Sequence, residues 1–285
     1  MLRIFNFPLM KIIIGIILVN IPVFLLRSTA QLVMSLLSVN NETVVTIVIF
    51  LVRLMTVYFA YIFFIKILER RIVDELSFDI SAIKEFSYGG LIALISITSV
   101  MGIMWLLGNY TIYEINHSAT LFESFLHNFF FAFLQDVVYF LIIFRIIEKS
   151  LGSWIAIVLA SIIFGFKHLL FPGYTVWSAI AQVFEAGILF SAFFILTRRI
   201  WLLFGFHFIW NFIEYGFILG FKPEGLIELF TSEFSGSFLI TGMPVGPEAS
   251  ILTLTIGTGL GLFFIFQAYK KNKLILPFWK IKLGG

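Results

Sequence analysis

Long apolar runs, interrupted at intervals by short charged or turn-forming stretches, set the pattern of the chain. A bilayer's hydrocarbon core of about 30 Å needs ~20 apolar residues per crossing helix. On that template the pattern predicts eight spans, over residues 10–26, 44–68, 89–107, 121–147, 153–171, 177–197, 200–220 and 249–269. The first is the shortest, and is expected to be tilted or partly interfacial. It is nonetheless long for the apolar core of a signal peptide, so it reads as a retained helix. Residues 69–88 mix Glu69, Asp74, Glu75, Asp79 and Glu85 with Arg70, Arg71 and Lys84, and read as a short amphipathic or interfacial segment. The stretch 222–247 carries Pro223, Gly236, Gly242, Pro244, Gly246 and Pro247, all turn formers. No internal repeat of the kind built into transporters is visible, which disfavours a transporter.

Composition strengthens this picture. Of 285 residues 60% are hydrophobic and 12% charged, where soluble domains carry about 25% charged residues. The expected fold class is therefore all-α, a polytopic membrane bundle of about eight helices forming one domain over residues 1–285, with the lipid bilayer as its constant partner. The absence of cysteine excludes disulfides and thiolate zinc sites. A net charge of +3 is too small to suggest a nucleic-acid partner.

The distribution of charge says more than its sum. Arg3 and Lys11, then Lys66, Arg70, Arg71 and Lys84, then Arg145 and Lys149, then Arg198 and Arg199, and finally Lys270, Lys271, Lys273, Lys280 and Lys282 fall on one side of the predicted bundle. Only Arg27, Lys167 and Lys222 fall on the other. The positive-inside rule then places both termini in the cytoplasm. The Ile-, Phe- and Lys-rich composition suggests a prokaryotic plasma membrane.

Against this apolar background, residues 135–216 hold Gln135, Asp136, His168, Glu185, His207, Asn211 and Glu214. Polar groups inside a membrane are costly, so each marks a partnered contact or a functional site. Arg53 poses the same question, and the sequence names no partner for it. His207 and Asn211 are four apart and Glu214 continues the same helical face. Measured from the charged helix ends at 1.5 Å per residue, Asp136 and His207 lie ~12–14 Å deep, Asn211 and Glu185 ~18–20 Å, and His168 ~23 Å. Two histidines on separate helices plus an amide or carboxylate oxygen suit a divalent, zinc-like ion in a bundle core. A neighbouring carboxylate, Asp136 or Glu185, would then deprotonate the bound water. The bland alternatives are interhelical hydrogen bonds for the histidines and Asn211, and a Glu214–Lys167 salt bridge near the boundary. The phenylalanine-rich run 125–133 reads as packing or lipid-facing surface.

The polar residues also carry a resemblance. Phe164-Gly-Phe-Lys-His168 fits the pattern FxxxH and His207-Phe-Ile-Trp-Asn211 fits HxxxN. Leu151-Gly-Ser-Trp154, Gly187, Arg198, Phe212 and Gly242-Met-Pro-Val-Gly-Pro-Glu248 supply matching context. Over residues 121–270 the chain resembles the CPBP family of CAAX-protease and bacteriocin-processing intramembrane peptidases. The resemblance implies a membrane-embedded metallopeptidase acting on a peptide or protein substrate, prenylated in some members, with His168, His207 and Asn211 binding metal or an oxyanion. The family's first motif, EExxxR, departs here: its glutamates fall on Gln135 and Asp136 and its arginine on Phe140. Glutamine cannot act as the general base expected at that position. Asp136 or Glu185 then substitutes as base, the site binds metal without turnover, or the fold serves as a non-catalytic pseudopeptidase in bacteriocin self-immunity or as a peptide-binding scaffold.

Overall fold

The computed structural model describes residues 7–219 and 225–281. Arg3, Lys222, Pro223 and Lys282 lie outside the described residues. Among those described, seven helices are long and apolar enough to cross a membrane. They are α1 (Pro8–Leu36), α2 (Glu42–Glu69), α3 (Ile80–Leu106), α4 (Leu121–Leu151), α5 (Ser153–Leu170), α6 (Val176–Thr197) and, last in the chain, Ile251–Lys270. Between the last two lies α7 (Trp201–Ile213), extended by a π turn over Glu214–Ile218; the last of the seven long helices is α8. The span expected at 200–220 is thus a helix, but a short one whose apolar character is diluted by His207, Asn211 and Glu214.

Local chemistry sets the boundaries. Asn41 caps α2 by accepting from the Val44 amide (3.0 Å), Asp79 caps α3 through Ala82 (2.9 Å), and Ser250 caps α8 through Thr253 (3.1 Å). Arg70 and Arg198 end α2 and α6 in the left-handed region, at φ 53° and 61°. Gly152 separates α4 from α5 at φ 83°, where a side chain is strained and a Cβ would come within 2.7 Å of the Pro277 nitrogen.

Helix α1 runs well beyond the short span expected. The polar break at Arg27, Ser28 and Thr29 does not stop it, because Ser28 and Thr29 return their hydroxyls to the carbonyls of Phe24 (3.0 Å) and Leu25 (2.9 Å). The acidic-basic segment 69–88 also divides differently from expectation: residues 80–88 already belong to α3, and only 70–79 form the connection.

At the centre, α7 is gripped on two sides. Against α3 the contact is main chain to main chain. A Cβ at Gly89 would lie 2.0 Å from the Leu202 carbonyl oxygen, and one at Gly205 2.1 Å from that of Phe86. Small residues let membrane helices approach this closely. Against α4 the contact is aromatic: Phe125, Phe129 and Phe133 meet Phe212 (5.4 Å), Phe204 (4.9 Å) and Phe204 (5.5 Å) in edge-to-face pairs. The phenylalanine run is therefore packing surface. Arg53 of α2 finds its partner there too, 3.7 Å above the Phe130 ring.

The two ends of the bundle differ. One holds the 70–79 connection, the α6–α7 turn and a set of ion pairs. At the other, β1 (Tyr110–Ile115) and β2 (Phe230–Phe234) form a two-stranded antiparallel ribbon, with Tyr110 opposite Phe234 and Ile115 opposite Phe230.

Candidate active site

Four helices bring the polar residues to one place. Helix α4 changes from α to π winding directly after Asp136, over Val137–Phe144. Helix α6 does so over Val183–Gly187, around Glu185, and α7 from Glu214 onward. Such π segments shift the phase of a helix and cluster at functional sites. In α5 the last turn tightens to 3₁₀ over Lys167–Leu170 and carries His168.

His168 and His207 flank a single ring, with Phe164 at 5.3 Å from the first and 6.2 Å from the second. The difference in depth counted along the chain therefore does not keep them apart. The His207 Nδ1–H donates to Asp136 Oδ1 at 2.7 Å, and that of His168 to the Gly165 carbonyl at 3.1 Å. A carbonyl or carboxylate acceptor assigns the proton to Nδ1 in each ring and leaves Nε2 with a free lone pair. His168 also stacks on Tyr174 (5.2 Å, 26°), and Phe190 lies 5.0 Å from His207.

A cavity of about 660 Å³ joins these residues. His168, His207, Asn211, Gln135 and Glu185 all line it. Asp136 does not: it is fully buried behind His207, and its Oδ2 has no hydrogen-bond partner among the described residues. Gln135 accepts a hydrogen bond from the Lys167 ammonium, which lies 4.0 Å over the Phe164 ring and 4.6 Å over that of Tyr139. The anticipated Glu214–Lys167 bridge is not among the ion pairs of the described residues. Glu214 instead accepts from the Trp210 indole (2.7 Å) and the Glu248 amide (3.4 Å). Phe140, at the position of the family's arginine, packs edge-on against Phe190 (5.6 Å).

Sequence reasoning missed part of the wall. Tyr174, Gln182, Tyr215 and Glu248 line the cavity, as do His127 and Asn128. Two of these left a signal: His127 is eight residues before Gln135 on the same helix, and Glu248 is the acid directly preceding the last span. Tyr174 donates its hydroxyl to Glu248 Oε1. Burial pushes the Glu248 carboxyl up, opposed by the Tyr174 hydrogen bond and the Lys167 charge.

The donor set bears on the expected metal. Both imidazoles are fixed through Nδ1 by acceptors, the outer-sphere arrangement typical of metal-ligating histidines. Among the described residues no three His, Cys, Asp or Glu side chains are grouped to hold an ion. The third ligand would have to be the Asn211 amide.

A family model described as "Type II CAAX prenyl endopeptidase Rce1-like" matches residues 116–213. No curated protein and no solved structure matches the chain. The matched stretch contains all six candidate residues of the site, from Gln135 to Asn211, and agrees with the resemblance to CPBP proteins.

Proposed function

We propose that this integral membrane protein is a peptide-bond hydrolase of the CAAX-prenyl-endopeptidase kind, working in the cavity between α4, α5, α6 and α7. The observation that carries the proposal is the arrangement of His168, His207 and Asn211 on one cavity wall, with Asp136 buried behind His207. A water held between the two free Nε2 atoms gives a proton to His207 as its oxygen attacks the scissile carbonyl. Asp136 stabilises the resulting imidazolium and keeps the ring in its tautomer, so the carboxylate works through the histidine. The Asn211 amide donates to the oxyanion. As the C–N bond breaks, His207 returns the proton to the departing amine, which balances the addition of water. A zinc-like ion, when bound, would take His168 Nε2, His207 Nε2 and the Asn211 oxygen, and would supply Lewis-acid polarisation of water or carbonyl. The charge distribution along the chain supports both termini in the cytoplasm, and the Ile-, Phe- and Lys-rich composition together with the family resemblance supports a prokaryotic plasma membrane.

A second reading, a pseudopeptidase that binds a peptide without cutting it, is favoured by one feature. Gln135 cannot act as a base, and Lys167 occupies its carbonyl oxygen. Detergent-purified protein, incubated with an internally quenched farnesylated CAAX peptide and analysed for bound metal, separates the readings. The hydrolase cleaves the peptide, and His168→Ala and His207→Ala each lower the rate by at least ~10³-fold. Binding of the peptide without cleavage, in wild type as in the variants, overturns the hydrolase. Near-stoichiometric zinc lost in both variants assigns the metal; its absence after reconstitution removes the metal and leaves the imidazole chemistry.

A further inference from the structure

One part of the cavity wall has no task in that mechanism. Glu185 sits in the π turn of α6, 4% exposed, and its Oε2 has no hydrogen-bond partner among the described residues. Its position is set by main-chain contact: a Cβ at Gly257 of α8 would stand 2.8 Å from the Glu185 Cβ and 2.9 Å from its carbonyl oxygen. Glu248 lines the same cavity, held by Tyr174 and by the Gln182 side chain. Glu214 lies directly behind, fully buried, with its oxygens taken by Trp210 and the Glu248 amide. None of these three acids forms an ion pair with a described arginine or lysine. Lys167, whose charge acts on Glu248, is engaged with Gln135.

We propose that the Glu185–Glu248 wall is a recognition site for a basic group: the ammonium or guanidinium of a side chain, or the amino terminus, of the peptide that enters the cavity. A buried carboxylate oxygen without a donor is costly, and an incoming cation satisfies it where no described protein group does. The flanking surface is apolar and aromatic, with Phe190, Trp210, Ile256 and Leu260 suited to the hydrocarbon stem that carries such a charge. The volume, about 660 Å³, falls in the range of small-ligand sites. A metal ion is a poor occupant, since among the described residues no three His, Cys, Asp or Glu side chains are grouped to hold one. The identity of the occupant as a peptide rests on the hydrolase reading, but binding of the basic group does not require cleavage.

The test uses 4-phenylbutylamine and its neutral isostere 4-phenylbutanol as probes on the detergent-solubilised full chain, with binding followed by ligand-observed NMR. The amine is expected to bind about tenfold or more tightly than the alcohol. Glu185→Gln is expected to bring that ratio close to one, and Glu248→Gln to reduce it; the second variant keeps the test decisive should the first not purify. Equal affinities in the wild type, or a ratio unchanged in the purified variants, overturns the proposal. The peptide assay on the same samples separates the two readings. Discrimination without cleavage keeps the basic-group site and removes the hydrolase, whereas cleavage without discrimination does the reverse.

Discussion

Two regions of the molecule bury carboxylates, and they treat them in opposite ways. At the end holding the 70–79 connection, Arg145 grips both oxygens of Glu69 (2.6 and 3.0 Å), Arg71 reaches Glu69 (2.8 Å) and Glu75, and Tyr61 adds its hydroxyl to Glu75. Glu148 is likewise shared between Ser153 and Arg198, at 2.5 Å each. Around the cavity, Asp136 is paired with a single histidine, and neither Glu185 nor Glu248 forms an ion pair among the described residues. The titration follows the partners. Burial works against the Glu75 carboxylate, yet hydrogen bonds from Arg71 and Tyr61 outweigh it and hold it below its ordinary range. For Glu248 burial wins, and the carboxyl is pushed up. Saturated charges fasten helices together. Under-partnered ones store an unmet demand that a ligand or reaction can use.

Substitutions can break or sharpen this contrast, and the largest effect is expected in the cavity. Asp136→Asn keeps the shape behind His207 but removes the charge and the tautomer preference. The kcat for the farnesylated reporter peptide should fall by ~10³-fold or more while the melting temperature in detergent hardly moves. An unchanged kcat would show that Asp136 does not act through His207. The opposite signature belongs to the paired end. Arg145→Met leaves Glu69 and Glu75 sharing Arg71 alone, and should cost about 3 kcal/mol of stability with little change in kcat per folded molecule, read from thermal unfolding beside initial rates. The smallest effect has the most informative sign. Glu185→Gln removes the charge of a buried carboxylate that has no ion pair among the described residues and should stabilise the protein by about 1 kcal/mol. A loss of stability instead would place Glu185 with the fastening charges.

How much of this was written along the chain depends on the range of the interaction involved. The apolar runs announce their helices because burial in lipid is a local, additive demand, and the FxxxH and HxxxN spacings announce two helical faces. The continuation of α1 past Arg27 was hidden, because hydroxyls bonding back to the preceding turn make polar residues compatible with a helix. Partner choice was hidden more deeply. Asp136 and His207 are 71 positions apart, and nothing periodic links them. Lys167 and Glu214 looked matched in depth, but the π turn beginning at Glu214 and the 3₁₀ turn beginning at Lys167 change which way each side chain leaves its helix. Glu248 sits in a connection rich in glycine and proline, where burial leaves no pattern. The contact of Arg53 with a phenylalanine ring has no sequence signature either.

The seam between α3 and α7 has a consequence for precision. His207 stands two residues after Gly205 and five after Leu202, the two points where α7 meets the main chain of α3. Side chains can change rotamer and so tolerate small errors of assembly, whereas a carbonyl oxygen against an α-carbon has almost no give. The seam is in effect a machined datum face: the imidazole and the Asn211 amide are located from it, and the looser phenylalanine contacts on α4 only press the helix home. A single methyl group at residue 205 would act as a shim, lifting the whole reactive row out of register with Asp136 without touching any residue of the site.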